Sequence, residues 1–208
     1  MPALRTCAAS LAILAAGTGL FAATTHGFHV YTSEGALRLS VQQAPRPLPD
    51  VTLQAADWRR LRLADFHGTW LVVGFMYTRC TTVCSIQGSG FAQLHAALRH
   101  AIGAHQVRLL SISFDPRHDA PAALMRYRQR YDAPGAGWLA ARPRNEADLR
   151  ALLTTFGVRA IPDGLGGYEH NAAFNIIDPQ GRLLAILDWD DPQAAARYVL
   201  AQLPAARR

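Results

Sequence analysis

Lysine is missing from this chain of 208 residues: each of its 21 basic residues is an arginine. Beside the heavy alanine content, that uniformity reads as genomic base composition rather than selection for a basic surface. The formal charge is +6, yet the arginines are scattered, with no run beyond Arg59-Arg60 and the terminal Arg207-Arg208. A nucleic-acid footprint needs basic residues clustered on one face with stacking aromatics between them, so nucleic acid is excluded as a partner. Charged residues make up only 17% against 50% hydrophobic ones, which excludes a disordered chain and fits a globular one. Cysteine is scarcer still. Three cysteines cannot staple a secreted mini-domain, so stability must come from a hydrophobic core, and the length suffices for one domain plus a short appendage. Internal repeats are absent, as is low-complexity sequence beyond the alanine bias.

What is present begins with an apolar segment. Cys7 to Ala23 (CAASLAILAAGTGLFAA) is apolar or small, and Arg5 is the only charge before it. A bilayer span takes about 20 apolar residues. Residues 1–25 are therefore expected to be a signal anchor, or a signal peptide that is removed, with the positive end cytoplasmic and the domain exported. Cys7 precedes the apolar run instead of ending it, the wrong order for a lipoprotein cleavage box. Residues 26–49 read as a linker ending in Pro45, Pro47 and Pro49, and residues 50–208 as the globular domain.

Inside that domain, Val51-Thr52-Leu53 and Leu61-Arg62-Leu63 are candidates for a hairpin. Two nearly continuous apolar runs, Leu71–Tyr77 (LVVGFMY) and Val107–Phe114 (VRLLSISF), have the length of strands buried on both faces. Between them a helix is expected from Cys84 to His100, with Ile86, Phe91, Leu94 and Leu98 on its apolar side. Asp119 and Pro121 suit the start of the next helix, the aspartate as cap and the proline in the first turn. Trp138 to Ala141 reads as a short strand. Asn145 caps a helix closed by Gly157. Phe174–Ile177 and Leu183–Leu187 flank a turn at Asp178-Pro179-Gln180-Gly181, and Asp191-Pro192 opens a last helix. The order β-α-β-α-β-α-β-β-α after a hairpin predicts an α/β protein of thioredoxin-like fold.

The close pair Cys80 and Cys84 falls where a buried strand feeds a helix. Free amides and partial positive charge at a helix N-terminus favour thiolate, the form that attacks disulfides and binds metals. If the first helical turn includes both, their spacing of four puts both sulfurs on one face, where they can share one ion or form a disulfide. Two soft thiolates suit Cu(I) or Zn(II), and an added imidazole suits copper. Structural zinc usually takes four protein ligands, and no second cysteine pair is present. Of the eight histidines, His26 and His29 fall in the tail or linker, and His95, His100 and His105 on or after a helix among polar neighbours. His67 falls in a polar turn and His118 in a charged loop. His170 differs: it ends the Gly-rich stretch Asp163–Glu169 and precedes a core strand, at the end of the sheet where loops lean over the cysteine helix.

Three segments in order resemble the Sco/SenC family of copper proteins. Leu61–Cys84 (LRLADFHGTWLVVGFMYTRCTTVC) is similar to its hairpin, buried strand and CxxxC loop. Ser111–Pro121 (SISFDPRHDAP) is similar to its strand and DPxxDxP turn, and Tyr168–Gly181 (YEHNAAFNIIDPQG) to its metal histidine, strand and DPxG turn. The resemblance spans about Pro47 to Leu203. It implies one copper ion, Cu(I) or Cu(II), held by Cys80, Cys84 and His170, with Asp115 in a supporting role. It further implies copper delivery to, or thiol reduction at, the dinuclear copper site of cytochrome c oxidase. The implied partners are the oxidase subunit carrying that site and another periplasmic copper carrier. The implied place is the bacterial inner membrane with the domain facing the periplasm, or the periplasm itself after cleavage. Two features depart from the pattern. Thr81 and Ser85 stand where the family usually has proline after each cysteine, and Arg79 adds positive charge next to Cys80, which is expected to lower its pKa.

Other chemistries fit parts of the sequence. An exported thiol–disulfide oxidoreductase, with Cys80 and Cys84 as catalytic redox couple and no physiological copper, needs no role for His170. Most such enzymes use CxxC and a proline just before a strand that faces the pair. Pro162 offers one, but the next convincing strand starts about twelve residues later, so it reads as a loop proline. A peroxidase would match Thr81-Thr82-Val83-Cys84 as TxxC, but Tyr77 stands where its proline belongs. A copper buffer or redox sensor would bind without transfer.

Overall fold

The computed structural model describes residues 2–25, 27–28, 30–80, 83–131 and 137–204, with backbone alone at 2–4 and 83–86. The chain divides into two compact units, Met1–Ser40 and Val41–Arg208.

The first unit is dominated by helix α1 (Pro2–Thr24). Its stretch Arg5–Thr24 is 20 residues long with a mean hydropathy of 1.7, long and apolar enough to cross a membrane, a test that a signal sequence also passes. Leu11, Ile13, Leu14 and Leu20 are all exposed. Phe21 stacks loosely with Phe28 and Tyr31 at ring separations of 5.7 and 6.3 Å. His26 and His29 lie outside the described residues. The stretch expected as linker contains a helix, α2 (Ser33–Gln43), and a two-residue strand, β1 (Arg46–Pro47). Thr32 opens α2 by accepting from Gly35 N at 3.0 Å, and Glu34 pairs with Arg38 at 2.6 Å, local bonds that support a short helix. Val41, at its end, is buried in the second unit.

In the second unit the apolar runs become the sheet centre. The strands are β2 (Thr52–Ala55), β3 (Arg60–Arg62), β4 (Trp70–Met76), β5 (Val107–Ser113), β6 (Trp138–Pro143), β9 (Ala173–Ile177) and β10 (Arg182–Asp188). With β1 they form one sheet in the order β1-β10-β9-β4-β5-β6-β2-β3. β4, β5 and β6 are parallel, while β9 and β10 join antiparallel on one side and the β2–β3 hairpin on the other. β4 and β5 are buried along almost their whole length because helices cover both faces.

The helices follow the expected signals with two differences. Asn145 accepts from Asp148 N and caps α6 (Glu146–Phe156), which Gly157 ends at φ 66°. Asp191 accepts from Ala194 N and caps α7 (Pro192–Gln202). The first difference is that the helix after the cysteines breaks at Leu98 into α3 (Val83–Ala97) and α4 (Arg99–Gly103). The second concerns the start of α5 (Pro121–Arg130), described with the site. α3 lies tight on the sheet: a Cβ at Gly74 would come within 2.4 Å of the Phe91 ring, and Phe91 stacks on Trp138 at 5.5 Å. This is a thioredoxin-like architecture with an N-terminal hairpin.

Candidate metal centre

The cysteine pair begins where β4 leaves the sheet. Tyr77, Thr78 and Arg79 follow the strand, and Cys80 N donates to Tyr77 O at 3.4 Å, closing a turn that buries Cys80. α3 starts at Val83, so the Cys84 backbone falls in its first turn, next to amides that favour a thiolate. The Cys84 side chain lies outside the described residues, as do Thr81 and the side chains of Ser85 and Ile86.

Asp119 shapes this turn, which corrects the expectation that it caps α5. The N-cap is Ala120, without a side-chain bond. Asp119 instead points inward, with no exposed surface. Its Oδ2 accepts from Thr78 N at 2.9 Å and from Ser113 Oγ at 2.6 Å, while Oδ1 accepts from Thr78 Oγ1 at 2.6 Å. Three donors at the ends of β4 and β5 outcompete the free amides of one helix end. Burial pushes its carboxyl above the usual range, and the bonds from Ser113 and Thr78 oppose this only in part.

Asp115 sits beside it, also buried. Arg79 Nη2 donates to its Oδ2 at 2.8 Å, and His118 Nδ1 lies 2.8 Å from Oδ1. Burial alone would raise the Asp115 carboxyl; hydrogen bonds from Arg79 and His118 overcome it and hold the group below the usual range. The Arg79 charge, expected to act on Cys80, is thus engaged by a carboxylate. His118, which in sequence was one charged-loop residue among several, belongs to this cluster.

The Gly-rich stretch before His170 is a hairpin rather than a loop. β7 (Ala160–Pro162) pairs antiparallel with β8 (Tyr168–His170), Ala160 opposite His170. Asn171 clasps its base: Arg159 N donates to Asn171 Oδ1 at 2.7 Å, and Asn171 Nδ2 donates to Gly157 O at 3.1 Å. Asp163 Oδ1 closes the other end by accepting from Leu165 N and Gly167 N at 2.7 and 2.9 Å. Tyr168 N donates to Tyr77 OH at 3.3 Å, fixing the hairpin to the residue that starts the cysteine turn.

His170 is half-buried among aromatic rings, 6.0 Å from Tyr77 and 5.0 Å from Phe114, with Tyr168 5.2 and 5.4 Å from the same two. Tyr77 is therefore shared by the turn that buries Cys80 and the ring of His170. Burial pushes the imidazole pKa down, partly offset by its backbone bond to Asn171. In that bond Nδ1 lies 3.1 Å from Asn171 O. A carbonyl only accepts, so Nδ1 carries the proton and the lone pair resides on Nε2, the tautomer a metal ligand needs. A neutral imidazole together with the thiols of Cys80, just before α3, and Cys84, in its first turn, is a donor set that fits a soft metal such as copper. Among the described residues no three His, Cys, Asp or Glu form a ligand cluster, and the Cys84 sulfur lies outside them. The Tyr77–Phe114–Tyr168 wall and Asn171 are not singled out in sequence, and Asp119 reads there only as a helix cap. The spacing of Ser113, at the end of β5, and of Asp115 and Asp119 on the loop after it was the local signal.

Comparison with known proteins gives a concordant picture. The SCO1/SenC family model matches residues 44–204. A SCO1 protein homolog of Bacillus subtilis is 25% identical over 135 residues, covering 64% of this chain and 69% of its own. A putative copper-binding protein of Stutzerimonas stutzeri is 26% identical over 191 residues, 88% of each chain. Among solved structures, copper-bound ScoI of Bradyrhizobium japonicum superposes with a TM-score of 0.65 at 22% identity, over 76% of this chain and 99% of that one. BsSco, described as a member of the Sco family of cytochrome c oxidase assembly proteins with a disulfide switch, superposes at 0.61 and 20% identity, over 77% and 96%.

Proposed function

The chain belongs to the SCO1/SenC family, and from that premise we propose that it is a copper-binding protein serving assembly of cytochrome c oxidase. Copper is its cargo, one ion held through Cys80, Cys84 and His170 and destined for the dinuclear copper site of the oxidase. The observation that carries this reading is the tautomer and placement of His170. Its Nδ1–H is engaged by Asn171 O, and its ring packs on Tyr77, which opens the cysteine turn.

Each part of the chain has a task in that reading. The amides at the start of α3 favour thiolate on Cys84. Asp119 holds Thr78 and so the approach to Cys80. Tyr77, Phe114 and Tyr168 wall His170 and keep it neutral by burial. α1 tethers the domain to the bacterial inner membrane, facing the periplasm, or is removed there. The subunit bearing the copper site is the recipient, and another periplasmic copper carrier is the source.

A second role uses the same pair and is favoured by the disulfide switch identified in BsSco. As dithiols, Cys80 and Cys84 would pass two electrons and two protons to a disulfide of the recipient and leave joined to each other. One experiment separates the roles. The reduced full-length chain, in a non-ionic detergent, is titrated with Cu(I) against a competing chelator, beside His170→Ala, Cys80→Ser and Cys84→Ser. One tight equivalent, weakened at least about tenfold in all three variants, supports the carrier. Binding that ignores His170, or none, leaves the thiol–disulfide role alone.

A further inference from the structure

The carboxyl ends of β4, β5 and β6 lie side by side along one edge of the sheet, and ligands of α/β sheets bind in crevices at such ends. β4 leads into the cysteine turn and β5 into Asp115. β6 ends at Arg142-Pro143, where a cleft of about 270 Å3 is lined by Gln54, Pro116, Arg142, Pro143 and Arg144. Two of these residues are cations and none is an acid.

Arg142 is half-buried. Its Nε and Nη2 donate to Gln54 Oε1 at 3.2 and 2.9 Å, and its Nη1 donates to Pro116 O at 2.6 Å. Gln54 is its cross-strand neighbour on β2, so the guanidinium is held by the sheet itself. Both acceptors are neutral, and among the described residues Arg142 makes no ion pair. A guanidinium has five N–H groups; three are used in these bonds, leaving two. Arg144 is exposed beside it, and the nearby acid Glu146 is engaged by Arg117 at 3.3 Å. A fixed, half-buried charge answered only by amide dipoles, with N–H groups to spare over an acid-free cleft, matches a planar two-oxygen anion.

We propose that this cleft binds a carboxylate, gripped by Arg142 and steered by Arg144. The carboxylate is either a free small acid or a side chain of a polypeptide docked along this edge. Pro116 follows Asp115 directly, so the occupant lies beside the loop whose carboxylate engages Arg79. The site is independent of the copper reading and stands or falls without metal.

Calorimetric titration of the metal-free full-length chain in non-ionic detergent tests it. The probes are malonate and an acetylated, amidated Gly-Glu-Gly peptide, each followed also by thermal unfolding. Saturable binding of one equivalent is expected, weakened about tenfold or more by Arg142→Gln, which loses charged hydrogen bonds. Arg144→Gln, at an exposed side chain, should weaken it severalfold without moving the unprobed unfolding midpoint. Cys80→Ser should leave it unchanged. Binding of malonate alone identifies a free acid as the ligand; tighter binding of the peptide identifies a docked polypeptide. The proposal fails if neither probe saturates, if both arginine variants bind as the parent does, or if sulfate competes as well as malonate.

Discussion

Asp119 shows how a buried carboxylate can organise a loop rather than a helix end. It takes three hydrogen bonds from Thr78 and Ser113 while fully buried, with its carboxyl raised by that burial. Asp119→Ala leaves those donors unanswered and is expected to cost about 2–3 kcal/mol. Asp119→Asn can still accept from Thr78 N and Ser113 Oγ, and its amide can donate to Thr78 Oγ1, so it should cost less than about 1 kcal/mol. The pH dependence distinguishes charge from shape. A raised folded value means that the folded chain binds the proton more readily. Its stabilising contribution is therefore complete below the ordinary carboxylate value and is lost as pH rises through the folded one. Relative to Asp119→Asn, the parent should lose stability as pH rises above the ordinary carboxylate value of about 4, a window read from paired urea titrations. A constant gap between the two proteins across that window would refute the raised value.

At the scale of elements, the β7–β8 hairpin and the α3–β4 contact do separate work. The hairpin carries His170 and is secured at both ends by side chains, Asp163 at the tip and Asn171 at the base. A Cβ at Gly167 would come within 2.5 Å of Asp163 Oδ2 and 3.1 Å of Tyr77 OH. Gly167→Ala should therefore displace the hairpin and weaken Cu(I) binding several-fold, with global unfolding nearly unchanged because the hairpin lies outside the eight-stranded sheet. An equal fall in both would show the hairpin to be part of the cooperative core. Gly74 makes the opposite case. A methyl there meets the Phe91 ring head-on, so Gly74→Ala should lower stability by about 1–3 kcal/mol in urea titrations, by overpacking between α3 and the sheet.

For the whole molecule, the two units differ in what they expose and in which of them the family match covers. α1 exposes its apolar residues along its length, whereas the family match and the buried Val41 fall in the second unit. Removing residues 1–31 keeps α2 together with Thr32, which caps it. The shortened chain should be soluble without detergent and should keep the thermal midpoint and Cu(I) stoichiometry of the full chain. The full chain should remain with the membranes after alkaline carbonate extraction. Its release in shortened form would identify α1 as a cleaved leader.

The sequence by itself determined most of the strands and helices and their order, because buried runs such as Leu71–Tyr77 and caps such as Asn145 and Asp191 are local signals, whereas α2, β1 and the β7–β8 hairpin fall in stretches that read as linker and loop. It also singled out Cys80, Cys84 and His170, since thiols at a strand-to-helix junction and a histidine before a core strand are visible in one dimension. Only the tertiary structure decided what surrounds them. Asp119 had the local chemistry of a cap, and three donors from two strand ends claimed it instead. Arg79 stands next to Cys80 in the chain but turns to Asp115, 36 residues away. Arg142 gained its cleft from Gln54, 88 residues off. Propensity and periodicity act over a few residues. The partners that settle charge and access come from segments that only folding brings together.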